Sequence, residues 1–389
     1  MKESSDVIVV GLGTAGAAAC MELARRGVSV LGIDRSRPPH KSGSHHGETR
    51  SVRRAYLEGT AYVPMARKAW QLWERLQRDT GTPLLTPTGN LTIGPPEGPA
   101  VQGFLEAARS GNIPHEALDA AQVRKRWPRL AVPDDFAAGL EITAGIVRPE
   151  AAVALFLKEA EKAGASLRFD EPVSGWSKIA DGIEVRTALG RYEAGRLLLA
   201  GGARNPALLG PAGRVLSPAR VPVHWIQPPH ENDFHLGDFP VNFWQIPLEA
   251  PDGPSEFQEF YALPATQAGT RVKAAPHNRL AKCDPDTTPP LPSDRETEEL
   301  RNLLQRFIPS LAHQPMEDHV CFYTLTPDGD FILGPLPETD RVFTVALAGH
   351  GFKFAPVLGE ILADVLQGKP PEWSIDRFSL GRFGFNAED

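Results

Sequence analysis

The chain contains 389 residues, of which 41% are hydrophobic and 23% are charged, and its formal net charge is −7. These values are those of a folded globular protein and exclude a disordered or collagen-like chain, while the lack of any basic run argues against a nucleic-acid partner. No apolar stretch approaches the ~20 residues that a membrane-spanning helix needs, and no secretion signal is recognisable, so we expect a cytoplasmic protein without a membrane partner.

The first predicted element is a strand that runs into a glycine-rich turn and then a helix at about 15–26. An apolar, β-branched run at 7–10 is followed by Gly11, Gly13 and Gly16. Three glycines at this spacing allow a tight turn, bring backbone close to a pyrophosphate and seat the helix against the strand. A second strand at 28–34 ends in Asp34, where an acid that bonds a ribose hydroxyl is expected. This opening predicts a dinucleotide site for a ligand without a 2′-phosphate.

The elements that follow alternate between helices and strands. Hydrophobic periodicity predicts further helices at 62–80, 118–127, 151–165 and 356–366. Strands are predicted at 166–170, 196–200, 221–227, 256–263 and 342–348, and a β-hairpin at 84–93. The strand at 196–200 ends at Gly201, as buried strands do where a nucleotide binds.

The order of these elements predicts an α/β fold, α+β overall, with two interleaved domains. A Rossmann-like nucleotide-binding domain is expected at 1–85, 146–217 and 318–389. An inserted substrate domain with an antiparallel sheet is expected at 86–145 and 218–317. The second domain is indicated by a shift in composition toward Pro, Trp, Phe and His after about residue 221.

Basic residues follow the second strand. His45 and His46 stand in a loop rich in Ser, His and Gly, and Arg50, Arg53 and Arg54 come next. A guanidinium group binds a carboxylate through two hydrogen bonds, and it also suits an electron-rich ring that gains negative charge on reduction. No carboxylate or Cys stands at ligand spacing from the histidines, and the three cysteines of the chain are too scattered for a zinc site. We therefore expect no metal.

A second glycine turn, Gly349-His-Gly-Phe-Lys-Phe354, joins a predicted strand to the last predicted helix. The N-terminus of that helix carries a partial positive charge, and Lys353 adds a full charge beside it. A flavin whose pyrimidine edge faced this turn would have its anionic reduced form stabilised. The turn is thus a candidate for the binding site of a redox cofactor.

Together these motifs give the chain a specific resemblance. Over nearly its whole length it resembles the monomeric sarcosine oxidase and N-methyltryptophan oxidase family of flavoenzymes, within the D-amino-acid-oxidase-like superfamily. The similarity is carried by Gly43 to Arg50, Tyr62-Val-Pro64, Arg126-Trp-Pro128, Val320 to Thr324 and Gly349 to Phe354. The resemblance implies a Rossmann-like FAD-binding domain, an oxidase that uses O2, and a monomer.

The resemblance also implies roles for single residues. Cys321 would carry FAD as a covalent thioether, Lys273 would activate dioxygen, and Arg53 and Lys353 would hold a substrate carboxylate. The other implied active-site residues are His277, Arg50, Tyr261, Tyr323, Phe243 and Trp244. With the glycine turns included, the expected cofactor-binding residues are Gly11, Gly13, Gly16, Asp34, Ser44, His45, Thr49, Arg50, Gly201, Cys321, Gly349, Gly351, Phe352 and Lys353.

The resulting hypothesis is a flavin-dependent oxidase of a secondary amine, such as the N-methyl amino acid sarcosine, that produces an aldehyde, a primary amine and hydrogen peroxide. Residues that hold the carboxylate would orient the reacting C–N bond, and placement alone can remove several kcal/mol of barrier. Three alternatives stay open at this point. The first is a related flavoenzyme, either an oxidase of cyclic amino acids such as pipecolate and proline or a quinone-linked dehydrogenase. The second is a NAD-dependent enzyme, and the third is a non-catalytic flavin-binding protein.

Overall fold

The computed structural model describes residues 3–56, 59–230, 232–248, 256–266, 270–277 and 280–385. In chain order the strands are β1 (Glu3–Val10), β2 (Val30–Ile33), β3 (Arg50–Val52), β4 (Leu85–Pro87), β5 (Asn90–Gly94), β6 (His115–Asp119), β7 (Ala137–Glu141), β8 (Gly145–Val147), β9 (Ser166–Arg168), β10 (Val173–Ile179), β11 (Gly182–Thr187), β12 (Arg191–Leu199), β13 (Ser217–Ile226), β14 (Val241–Pro247), β15 (Phe257–Leu263), β16 (Val272–Pro276), β17 (Ala281–Lys282), β18 (Met316–Leu325), β19 (Ile332–Leu336) and β20 (Thr339–Ala346). The α-helices are α1 (Thr14–Arg25), α2 (Val63–Thr80), α3 (Pro99–Ser110), α4 (Ala120–Arg126), α5 (Pro149–Lys162), α6 (Asp294–Phe307) and α7 (Ala355–Leu366).

The first of the two large sheets has eight strands among the described residues, in the order β10-β11-β12-β1-β2-β9, with β20 beside β12 and β19 beside β20. Its central strands β20, β12, β1, β2 and β9 pair in parallel. Apolar residues of these strands are buried on both faces, as expected for parallel strands covered by helices. The carboxyl ends of β1, β2, β12 and β20 meet at one edge, where the sequence predicts a nucleotide. The predicted α/β fold class is confirmed.

The second large sheet has nine strands among the described residues, in the order β17-β13-β16-β15-β14-β5-β7-β6, with β18 beside β13. All of its pairs are antiparallel except β14 with β5. Its strands come from 90–141 and 217–325, with β18 paired to β13 along its whole length. The first residues of the segment 318–389 therefore lie in this sheet, and the domain boundaries proposed from the sequence stay a prediction.

The hairpin expected at 84–93 is wrong, because its two strands belong to different sheets. Strand β4 pairs with β8 in a small sheet of order β3-β8-β4, whereas β5 pairs with β7 and β14. The backbone N–H groups of Thr88 and Gly89 both donate to the carbonyl of Ala144, each at 3.0 Å, and Gly89 has φ +71°. The turn residues that suggested a hairpin thus carry the chain from one sheet to another.

Helices α1, α5 and α7 cover one face of the first sheet and share its core. The approach of α1 to β1 depends on Gly16, where a Cβ atom would lie 1.8 Å from the carbonyl oxygen of Gly11. Helix α7 approaches α1 closely at Gly359, where a Cβ atom would lie 2.8 Å from the carbonyl oxygen of Ala18. No helix in the described part of the chain combines the length and apolarity needed to span a bilayer.

One buried side chain joins the carboxyl ends of β12 and β20. Asn205 Nδ2 donates to the carbonyl oxygens of Leu199 and Val345, at 3.1 and 2.9 Å, and its Oδ1 accepts from the backbone N–H of Gly201 at 2.7 Å. Asn205 is fully buried. It therefore satisfies backbone groups at the point where two parallel strands end beside the predicted nucleotide, a role that no sequence motif indicated.

We expect Asn205→Ala to lower the free energy of unfolding by about 2 to 3 kcal/mol, because buried backbone groups lose their partners. Denaturant unfolding monitored by tryptophan fluorescence measures this change. Asn302→Ala is the matched control, since Asn302 is exposed on α6. Equal stability of the two variants would contradict the structural role of Asn205.

Candidate active site

A single continuous cavity lies between the edge where the parallel strands end and one face of the second sheet. All but two of the residues predicted for the site line this cavity. The two exceptions are Gly16 and Trp244. Gly16 acts through packing, as described above, so the structure brings the glycine turn, the basic loop and the second glycine turn to one place.

Trp244 is the other exception, and strand alternation explains it. Successive side chains of a strand point to opposite faces, so on β14 Phe243 lines the cavity while Trp244 lies in the core beneath the sheet. There Trp244 stacks on Phe260 with 5.7 Å between ring centroids, and its Nε1 donates to Asn242 Oδ1 at 2.8 Å. The prediction that Trp244 lines the substrate space is wrong.

The glycine turn forms the cavity wall at the end of β1. Gly11 has φ +92°, and a Cβ atom there would lie 2.5 Å from the carbonyl oxygen of Ala200. Asp34 lines the same region and accepts hydrogen bonds from the backbone N–H groups of Leu12 at 2.6 Å and Ser36 at 2.9 Å. Asp34 thus holds the turn as well as facing the cavity, and a side chain at Gly11 would collide with the neighbouring strand.

The loop at 44–50 is tied to the rest of the protein by a half-buried arginine. Arg50 donates to the carbonyl oxygens of Ser44 at 2.9 Å, His46 at 2.6 Å and Thr49 at 2.8 Å. The hydroxyl of Ser44 in turn donates to the carbonyl of Phe322 at 2.6 Å. The loop is therefore folded around the Arg50 guanidinium and anchored to β18.

Lys273 and Glu150 hold the same loop from two sides. The ammonium group of Lys273 donates to the carbonyl oxygens of Gly47, at 2.9 Å, and Thr49. The carboxylate of Glu150 accepts from the backbone N–H groups of Gly47 and Glu48 at 2.5 and 3.1 Å, and Glu48 has φ +64°. Burial and the nearby Arg50 lower the pKa of Lys273 well below its ordinary value. Glu150, in the first turn of α5, was not among the residues predicted for the site.

Two histidines of the loop are held neutral. Burial, together with the neighbouring His40, lowers the pKa of His45 to about 3. Burial and Arg50 lower the pKa of His46 to about 4. His46 Nε2 lies 3.1 Å from the carbonyl oxygen of Val320 and 3.3 Å from the Sγ atom of Cys321. Cys321 is itself buried and 3.9 Å from Arg50, so its sulfur has a polar, cationic environment.

Arg53 and Lys353 are both buried and meet at the ring of Tyr56. The Lys353 ammonium lies 4.7 Å and the Arg53 guanidinium 5.6 Å from the centre of that ring, within range of cation–π attraction. The Tyr56 hydroxyl forms a hydrogen bond with Nδ1 of His350, whose Nε2 bonds the carbonyl of Gly329 at 2.9 Å. Tyr56 and His350 were not expected from the sequence, and they orient the two predicted carboxylate-binding cations.

Glu141 holds the backbone on the far side of Arg53. Its buried carboxylate accepts from the N–H groups of Arg54 at 3.0 Å and Ala55 at 2.9 Å, and from Nε of Arg54 at 3.4 Å. Burial raises the pKa of Glu141 above its ordinary value, and these hydrogen bonds oppose that shift. The segment that presents Arg53 is thereby fixed by an acid 88 positions away, which no local pattern could reveal.

Aromatic rings surround the space next to these cations. His277 contacts Phe243, Tyr261 and Tyr323 edge to face, with centroid distances of 5.4, 6.2 and 6.4 Å. Gly349 has φ +84°, and a Cβ atom there would lie 2.3 Å from the ring of Tyr323. The second glycine turn is therefore required for close packing against Tyr323. The result is a small apolar compartment with two cations at its border.

Comparison with known proteins identifies a family for this arrangement. Residues 6–365 match the family described as DAO, FAD dependent oxidoreductase. The chain is 36% identical to monomeric sarcosine oxidase of Streptomyces avermitilis, over 94% of both chains. It is 34% identical to N-methyl-L-tryptophan oxidase of Citrobacter koseri, over 97% of this chain and 99% of the relative.

Solved structures share the fold at lower sequence identity. The open form of NikD, an unusual amino acid oxidase essential for nikkomycin biosynthesis, is 24% identical, has a TM-score of 0.84 and covers 97% of this chain and 98% of its own. L-proline dehydrogenase from P. horikoshii is 22% identical, has a TM-score of 0.81 and covers 99% of both chains. Glycine oxidase from Geobacillus kaustophilus is 22% identical with a TM-score of 0.79, over 98% of this chain and 99% of its own.

The low pKa of His46 predicts a pH dependence of stability. Between pH 6.5 and 4 the unfolded chain binds a proton at His46 that the folded chain does not, so stability falls as the pH falls through this range. The loss at pH 4 is about 3 kcal/mol for this residue. His46→Gln cannot take up the proton, and its unfolding free energy in urea therefore declines less between pH 7 and 4. His230→Gln, at an exposed position, is the control and should keep the wild-type dependence of unfolding free energy on pH. An equally steep dependence in His46→Gln would refute the lowered pKa of His46.

Proposed function

Since the chain belongs to the DAO family of FAD-dependent oxidoreductases, we propose that it is an FAD-dependent oxidase of N-methyl amino acids that uses O2. The overall reaction converts the N-methyl amine, O2 and water into the primary amine, formaldehyde and hydrogen peroxide. The observation that carries the proposal is the pair of buried cations, Arg53 and Lys353, beside an aromatic compartment in the same cavity as the glycine turn. The names of the two relatives, both oxidases of N-methyl amino acids, support it.

The residues of the cavity fit FAD. Gly11 lets a pyrophosphate approach the backbone at the N-terminus of α1, and Asp34 faces the place of a ribose. Arg50 and the turn at Gly349 place positive charge where a flavin ring would reach from there. When bound, FAD supplies the two-electron redox chemistry that neither the amine nor the protein side chains can supply.

The environment of Cys321 supports a covalent thioether to the flavin. The thioether would replace one C–H bond of a flavin methyl group with a C–S bond, and the two electrons and two protons released would pass through the flavin to O2, which becomes hydrogen peroxide. A cysteine attacks as the thiolate, and a nearby cation favours that form. The sulfur lines the cavity, and it lies beside Arg50 and against the uncharged His46. Cys20 is a contrast, because it lies in the core of α1 and burial raises its pKa far above the ordinary value.

Substrate binding is assigned to the cations and the rings around them. Arg53 and Lys353 would hold the carboxylate, and the apolar rings of Phe243, Tyr261 and Tyr323 would enclose the N-methyl group and exclude water. An amine must be uncharged to give up hydride, and His277 at the border of this space can accept its proton. The carboxylate contact would orient the reacting C–N bond, and such placement can remove several kcal/mol of barrier.

Lys273 is assigned to the reaction with dioxygen. Its ammonium group is fixed by two loop carbonyls, and its side chain lines the cavity from β16. In its protonated form this group would stabilise negative charge that develops on oxygen. We also propose that the protein is monomeric, since the relative with the higher identity is named as monomeric, and that it is cytoplasmic.

The proposed activity is tested with hydrogen peroxide formation from N-methylglycine and N-methyl-L-tryptophan. Arg53→Met should lower kcat/KM for these substrates by about 100-fold, because a charged hydrogen bond to the carboxylate is lost. It should leave the slow oxidation of dimethylamine, which lacks a carboxylate, unchanged. Arg78→Met, at an exposed position of α2, is the matched control. No peroxide from any N-methyl amino acid would refute the function.

The thioether is tested by denaturing the purified protein in guanidinium chloride and separating it from small molecules. The yellow chromophore should stay with the wild-type chain and should leave the Cys321→Ser variant. Cys283→Ser, in a half-buried loop position, is the control and should retain the flavin. Release of all flavin from wild-type protein would show that Cys321 does not form the link, while leaving the oxidase activity to be judged by the peroxide assay.

A further inference from the structure

The side-chain amide of Asn90 is buried at the wall of the cavity and has no role in the proposed oxidation. Asn90, the first residue of β5, is 2% exposed, and its side chain lines the cavity. Its Nδ2 donates to the hydroxyl of Ser51 at 3.2 Å. Its Oδ1 has no hydrogen-bond partner among the described residues. A buried amide oxygen that accepts no hydrogen bond lowers the stability of a protein. We therefore expect a bound molecule to donate a hydrogen bond to Oδ1 of Asn90.

Thr92 provides the comparison that singles out Asn90. It lies two positions along β5, on the same face of the strand, and its buried hydroxyl also lacks a partner among the described residues. Thr92 does not line the cavity, because α3 covers that part of the sheet. The cover is close: at Gly139, paired with Thr92, a Cβ atom would lie 2.0 Å from the ring of Phe104. Of the two unpartnered oxygens, only that of Asn90 is therefore accessible to a ligand in the cavity.

The place of Asn90 in the sheet indicates which part of a ligand it would meet. Strands β18, β13, β16, β15, β14 and β5 are successive neighbours, so Asn90 on β5 is five strand spacings from Cys321 on β18. At about 4.8 Å per spacing, this is on the order of 20 Å along the sheet. Asn90 is thus remote from the residue that would carry the flavin.

The carboxylate-binding group lies closer to Asn90. Phe243 is on β14, the strand next to β5, and its ring centre is 5.8 Å from the Arg53 guanidinium. Ser51, the partner of Asn90, is two residues before Arg53 on the chain. A substrate whose carboxylate is held by Arg53 would place its amine toward the flavin side and could extend its side chain along the wall toward Asn90.

We propose that Asn90 Oδ1 accepts a hydrogen bond from an N–H or O–H group on the substrate's side chain, and so selects N-methyl amino acids with a donor in the side chain over apolar ones of similar shape. The inference rests on the proposed function, and it adds the class of side chain. Asn90 is a specificity residue and takes no part in the redox step.

The experiment compares kcat/KM within two substrate pairs that differ mainly in one donor group. The pairs are N-methylserine with N-methyl-2-aminobutyrate, and N-methyltryptophan with N-methyl-3-(1-naphthyl)alanine. Wild-type enzyme should prefer the donor-bearing member of at least one pair by about 10-fold or more, since a missing donor leaves the buried oxygen unpaired. Asn90→Leu should reduce that preference to about 2-fold or less, and because the preference is a ratio measured within one enzyme, a general change in rate on both members of a pair does not alter it.

Thr92→Val is the matched control, because it removes the other unpartnered oxygen of the same strand face outside the cavity; it should keep the wild-type preference. A second readout needs no turnover: indole-3-acetate should bind more tightly than naphthalene-1-acetate, as measured by perturbation of the flavin absorbance, and Asn90→Leu should abolish the difference. Wild-type enzyme that oxidises N-methyl amino acids without preference in either pair would overturn the role of Asn90 alone. Failure to oxidise any of them would overturn the proposed function itself.

Discussion

The structure depends on the way buried positive charge is satisfied by the backbone of one loop. Arg50 and Lys273 together donate to four carbonyl groups between residues 44 and 49, and Glu150 accepts two N–H groups from the same stretch. A buried ion without partners is strongly destabilising, so loop and ions must fold together. Arg50 starts β3, Lys273 belongs to the second sheet and Glu150 to α5. The loop therefore fixes the relation between the three elements that border the cavity.

Successive side chains in the strands of the second sheet point alternately to the cavity and to the core. The residues of β14, β15 and β16 that line the cavity all have odd numbers, as Phe243, Tyr261 and Lys273 do, while Trp244 and Phe260 form the core on the opposite face. One such face can present several aromatic and basic groups to the cavity because a helix-covered core packs against its other side. The same rule explains why neighbouring aromatic residues in the sequence have unrelated roles, which a prediction that places Phe243 and Trp244 together overlooks.

What could be predicted from the sequence was local. The turn at Gly11, the following helix and the parallel strands have signatures within 30 residues, and they were located correctly to within a few positions. Helix α6 was missed although Ser293 and Glu296 form a capping box at its start, because the surrounding prolines suggested a loop. Asn205 and Glu141 could not have been found, since each acts on backbone groups whose position is known only once the chain is folded. The misassigned hairpin failed for the same reason, because turn residues do not specify which strand will be the partner.

The electrostatics of the cavity follow from these placements. Arg50, Arg53, Lys273 and Lys353 border one space, so basic groups predominate there. Burial, and after it the neighbouring Arg50, lowers the pKa of Lys273. The two adjacent histidines stay uncharged at neutral pH and do not add to it. The basic groups of such a site repel one another, and they attract anions such as a carboxylate or a ring that becomes negative on reduction. Under the proposed function, the same basic groups would bind the substrate carboxylate and favour electron transfer to the flavin, and two of them, Arg50 and Lys273, are already hydrogen-bonded to carbonyls of the 44–50 loop.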